Sequence, residues 1–156
     1  RAAAYIDPEE PITIEDLEMA EKNSGTVVGE GDILIYRTGR HERRKALGGQ
    51  CERLPDGRGH LPGLYPDCLL WIHKRRVAML GSDCAHDVLP APFRDESIPI
   101  HVGTEVYMGL PLLHNLDLGK LANECKERGI SQFFLAISPL LIPGGTASPV
   151  NPTAIF

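Results

Sequence analysis

No stretch of the chain approaches the run of about 18 apolar residues that a membrane-spanning helix requires. The opening, RAAAYID, carries neither an initiator methionine nor an apolar targeting region. A membrane is therefore not an expected partner, and the opening reads as the middle of something longer. The four cysteines, Cys51, Cys68, Cys84 and Cys125, stand 17, 16 and 41 residues apart without a CxxC pair, which gives no disulfide framework and no cysteine-rich zinc site. Free thiols in a reducing cytoplasm are the expectation. Dense basic runs are confined to RHERRK (40–45) and HKRR (73–76), in a chain of net charge −5. Nucleic acid is thus not an expected partner, and the first run is read as part of a solvated loop. A GxSxG elbow, a Walker loop and a complete dinucleotide fingerprint are all missing.

What is present is ordinary globular composition. Hydrophobic residues make up 42% of the 156 positions and charged residues 24%, far from the signature of disorder. A domain of about 150 residues buries roughly 70% of the surface of its unfolded chain, so residues 1–156 are expected to form a single domain portion. The run from Pro11 to Gly25 reads as a helix, with Thr13 as cap, Asp16 three residues later as in a capping box, Ile14 and Leu17 (with Met19 and Ala20) on the apolar side and Gly25 as the stop. Ile33–Tyr36 reads as a buried strand, and the glycine-rich, charged stretch from Arg40 to Gly63 as a long loop. A helix is expected from Pro66 to about His73, and a buried strand at Val77–Leu80 that ends on Ser82 and Asp83. Leu118, Leu121, Ala122 and Cys125 at helical spacing predict a third helix closed by Gly129, followed by a strand in SQFFLAISPL and a Gly/Pro-rich loop to the end. Alternating helices and strands argue an α/β fold.

The candidate chemistry centres on IHVGTEVYMGLPLLHN (100–115), which places His101 and His114 around what reads as a Gly-Thr-Glu turn. Neutral imidazole suits Zn²⁺, Mn²⁺ or Fe²⁺. Two histidines 13 residues apart do not define a ligand geometry, however, and on residue type and spacing alone the preferred reading of each is a hydrogen-bonded histidine near the surface or core. Glu105 and Asp117 could add carboxylates or simply face solvent. Ser82, Asp83 and Asp87 gather at a strand end, where α/β folds collect ligands. The bland reading of Asp83, as a turn or helix cap, is preferred, and His86 could pair with Asp83 or Asp87. GGTASP (144–149) precedes no predicted helix and reads as backbone packing.

Taken in order, GDILIYRTG (31–39), GLYPDCLLWIHKRRVAMLGSDCAHD (63–87), IHVGTEVYMGLPLLHNLDL (100–118) and PLLIPGGTASPVNPTAIF (139–156) resemble the C-terminal half of the cyclase family of metal-dependent hydrolases, which includes kynurenine formamidases and isatin hydrolases. The resemblance implies a swivelling β/β/α domain, usually a homo-oligomer, that uses one or two Zn²⁺ or Mn²⁺ ions to hydrolyse amide, lactam or lactone bonds in small, often aromatic substrates. The family's HxGTHxDxPxH motif supplies most ligands and a catalytic histidine. In HVGTEVYMGLP, Glu105 and Tyr107 stand where that motif has His and Asp, so the segment is expected to be the family's later one. There a histidine, here His101, and a carboxylate or amide about a dozen residues on, here His114, complete the metal shell. The expectation is a portion without catalytic residues of its own, completed by a missing N-terminal half or companion chain and inactive alone. The competing expectations are a non-catalytic binding or assembly module with the same fold, and a small stand-alone α/β protein.

Overall fold

A computed structural model describes residues 4–49 and 59–156. They fall into two compact units, Arg1–Lys120 and Leu121–Phe156. Cys51 lies outside the described residues, and Cys68, Cys84 and Cys125 are free thiols. Among the described residues, no helix is long and apolar enough to cross a membrane.

The first unit begins with α1 (Ile14–Ser24), and its ends are those the sequence predicts. Thr13 Oγ1 accepts from Asp16 N–H at 3.4 Å, Asp16 Oδ2 accepts from Thr13 N–H at 3.1 Å, and Gly25 turns out through a left-handed conformation at φ 67°. Leu17 is buried, whereas Met19 is 55% exposed and contributes little to the apolar side. Thr13→Ala should cost about 1 kcal/mol, read as a lowered urea midpoint with unchanged slope; no shift would show that the box carries no stability.

Three short parallel strands follow, β1 (Ile33–Tyr36), β2 (Met79–Ser82) and β3 (Leu112–Leu113), in the order β1-β2-β3. Ile33 pairs with Met79, Tyr36 with Ser82, and Gly81 with Leu113. Parallel neighbours require crossovers, and these hold the helices, which makes the unit α/β as expected. β1 is half-buried rather than buried, with Ile33 at its rim.

The stretch after β1 departs from the expected loop. Arg40–Ala46 forms α2, so the RHERRK run is helical. The reason is not local: Gly39 stands at its N-cap without a side chain, and the cap is the Asp83 carboxylate. Arg43, Arg44 and Lys45 occupy the last turn, where cations complement the helix dipole. α3 (Cys68–Arg75) buries Cys68, Trp71 and Ile72 against Leu17, Leu80 and Ile100. Burial pushes the Cys68 thiol up to about 12, which leaves it a small apolar core group.

The Gly-Thr-Glu segment is not a turn. Pro99–His101 forms α4, and the chain continues without a break as a π-helix over Val102–Met108. The Gly109 N–H donates to Thr104 O, five residues back, which is the π-type closure. Buried Thr104 also returns its hydroxyl to Ile100 O at 2.7 Å.

In the second unit, α5 (Gly119–Arg128) ends at Gly129, as predicted, but buries no residue. β4 (Phe134–Ala136) pairs antiparallel with β5 (Thr153–Ile155), a strand inside the expected loop. Arg128 lies over the Phe156 ring at 5.0 Å from its centroid, and Phe133 contacts that ring at 5.4 Å.

Candidate functional site

The C-terminal ends of β2 and β3 bring three histidines together. His86 follows β2, His114 follows β3, and His101 closes α4. The ring centroids of His86 and His114 are 5.0 Å apart, and those of His101 and His114 are 4.8 Å apart. The sheet therefore gathers the two candidate ligands that sequence spacing alone could not relate.

The three rings differ in what their nitrogens do. His86 is fully buried, and it pairs with neither Asp83 nor Asp87, contrary to the sequence reading. Its Nε2 lies 3.1 Å from Leu113 O, a group that can only accept, so Nε2 carries the proton. Nδ1 then accepts from the Tyr36 hydroxyl at 2.8 Å. Burial, reinforced by the like charge of His114 and His101, pushes the His86 pKa down to about 3. Both nitrogens are occupied and the ring stays neutral, so His86 is a structural histidine.

His101 is half-buried, and its Nδ1 is hydrogen-bonded to Asp87 Oδ2, leaving Nε2 without a partner among the described residues. The Asp87 pairing was not legible at 14 residues' separation. Its origin is a turn at His86 in the left-handed region, φ 66°, rare for a non-glycine residue. His114 is exposed overall, yet its ring lies beside the other two. That partial desolvation, followed by the charge of His101, lowers its pKa. Its nitrogens have no hydrogen-bond partner among the described residues. Glu105 and Asp117 are exposed.

Asp83 takes the structural role preferred for it. Oδ1 accepts from the Thr38 N–H and hydroxyl, both at 2.8 Å, while Oδ2 accepts from the N–H groups of Gly39 at 2.8 Å and Arg40 at 3.2 Å. Thr38-Gly39 is thus a packing element as well as a turn. Residues 144–149 are mostly exposed, with a turn at Gly144.

A family model described as "Putative cyclase" matches residues 1–86, more than half of the chain. The chain belongs to the cyclase family. The matched span ends at His86, short of His101 and His114. Among solved structures, this cyclase-family chain is similar to one described as a novel cyclase, at 30% identity and TM-score 0.76, covering 97% of this chain and 48% of that one. An isatin hydrolase bound to the product analogue thioisatinate is 23% identical with TM-score 0.72, covering 95% of this chain and 53% of that one. A potential metal-dependent hydrolase with cyclase activity is 17% identical with TM-score 0.58, covering 92% and 57%. At 23% and 17% identity the last two show the fold alone. The cyclase-family chain spans about half the length of the first two of these structures. Comparison with the curated proteins gives no match.

The donor chemistry of the cluster fits a divalent metal in part. Imidazole nitrogens with available lone pairs suit Zn²⁺ or Mn²⁺, and a carboxylate behind one of them is the usual support for a metal-bound histidine. Among the described residues, no three histidine, cysteine or acidic groups converge to hold an ion by themselves. What the cyclase-family chain offers is two nitrogen donors, less than a complete shell.

Proposed function

We propose that this chain contributes His101 and His114 to a divalent-metal site of a hydrolase that acts on amide, lactam or lactone bonds of small molecules. The observation that carries the reading is the unengaged Nε2 of His101, backed by buried Asp87 and lying beside the unengaged ring of His114. The isatin hydrolase and the potential metal-dependent hydrolase among the similar structures support the reaction class. A bound Zn²⁺ or Mn²⁺ would polarise the scissile carbonyl and acidify a water at neutral pH. The chain's own part is to hold two imidazole nitrogens there, and the lowered pKa of His114 keeps its lone pair available. The remaining ligands and the acid–base group come from residues outside this set.

Self-association belongs to the same reading. Leu140, Leu141 and Ile142 are all exposed, Leu141 at 98%, and a contiguous apolar run of this kind is the sort of surface that a second copy covers.

In the full-length protein, His101→Ala and His114→Ala should each lower bound Zn²⁺ or Mn²⁺ and hydrolysis of cyclic amides, formamides or lactones together, by tenfold or more. Unchanged metal content in His101→Ala would refute its assignment as a ligand. A full-length protein that binds neither ion and hydrolyses none of these would instead be a non-catalytic module on the same fold.

A further inference from the structure

Asp87 is committed on every side. It is 2% exposed, its Oδ1 accepts from the Ile100 N–H at 2.6 Å, and its Oδ2 is hydrogen-bonded to His101 Nδ1. Its backbone bridges to Leu64, and a Cβ on Gly63 would stand 2.3 Å from the Asp87 carbonyl carbon, so that segment passes as close as a backbone can. The carboxylate grips a backbone N–H of α4 and the ring of the next residue at once. A group held this tightly fixes the direction of the hydrogen bond as well as its existence. Carboxylate oxygens are acceptors, which places the ring proton on Nδ1.

We propose that Asp87 is a positioning residue that holds His101 as the Nδ1–H tautomer, so that the lone pair stands on Nε2. This rests on the reading of His101 as a metal ligand. Free imidazole side chains in water favour the opposite tautomer, so without Asp87 the lone pair would sit mainly on the nitrogen turned toward the protein. The carboxylate also fixes the ring, as partners of metal-bound histidines do.

Asp87→Asn makes the test sharp because it keeps size and shape. The Ile100 N–H still needs an acceptor and claims the amide oxygen. The amide NH₂ is then left facing His101 Nδ1, which must accept, and the proton moves to Nε2. In the metal-free, full-length protein, ¹⁵N shifts of the labelled ring at a pH where it is neutral should show Nδ1–H for His101 in the parent and Nε2–H in Asp87→Asn. Zn²⁺ affinity, measured by chelator competition, should fall about 10–100-fold in the variant.

Nε2–H in the parent protein overturns the proposal without any variant, so a variant that fails to fold does not shield it. In a folded Asp87→Asn, either readout unchanged also overturns it. His101→Ala separates the two layers. If it weakens Zn²⁺ binding while Asp87→Asn changes nothing, the ligand reading stands and positioning falls. If His101→Ala leaves Zn²⁺ binding intact, the ligand reading fails, and the tautomers still show whether Asp87 sets the ring.

Discussion

Asp83→Ala is expected to lower the stability of the first unit by about 3–5 kcal/mol, because each buried donor left without a partner costs about 1–3 kcal/mol. The N–H groups of Thr38 and Gly39 and the Thr38 hydroxyl all lose their acceptor, and both residues are buried. α2 loses the anion at its N-terminus as well. Asn should rescue little. Its single oxygen can serve the Thr38 side or the Gly39–Arg40 side, and its NH₂ would then face donors on the other. For a domain whose whole stability is about 5–15 kcal/mol, such a loss moves the urea midpoint sharply. A shift worth less than about 1 kcal/mol in Asp83→Ala would mean that water or a local rearrangement replaces the cap.

Mild acid is the second large lever. The folded pKa of His86 is about 3, against 6.5 for the exposed ring. Between those values the unfolded chain binds a proton that the folded chain does not, so stability rises with pH there. The contribution is fully present above about 6.5 and is lost as pH falls toward 3, at about 1.4 kcal/mol per pH unit at most. His114, also lowered, acts in the same direction. The parent protein should therefore lose several kcal/mol between pH 7 and pH 4, measured as urea midpoints. His86→Asn, which tolerates the left-handed backbone at this position, should be less stable at neutral pH and show a flatter acid dependence. An equally steep dependence in the variant would place the acid lability in the carboxylates.

The elements legible in sequence are those whose signals are local. α1 announces its cap, box and stop within thirteen residues, Thr13 to Gly25, and all three are used. α2 announces nothing, because its cap sits on Asp83, beyond β2. β3 and β5, two and three residues long, are too short for any period to show. In the site, the two candidate ligands were readable from residue type and family resemblance. Their relation was not, since the left-handed turn at His86 aims Asp87 at His101, and the parallel pairing of β2 with β3 carries His114 to His86. The resemblance of HVGTEVYMGLP to a metal motif also concealed its winding. Residue spelling alone does not distinguish a glycine in a turn from Gly103, where a Cβ would come within 2.5 Å of Leu69 Cδ1 on α3.

The π-helix at Val102–Met108 makes separation along the chain a poor measure of correspondence between relatives at this site. An α-helix advances about 100° per residue, whereas a π turn accommodates an additional residue before it closes. Deleting one residue within 102–108 could therefore rewind the segment as ordinary α-helix while leaving β3 in place. A relative whose residues corresponding to His101 and His114 stand one residue closer would then present the same pair of side chains. The gap in an alignment of the two sequences would belong inside the helix, where insertions are seldom sought.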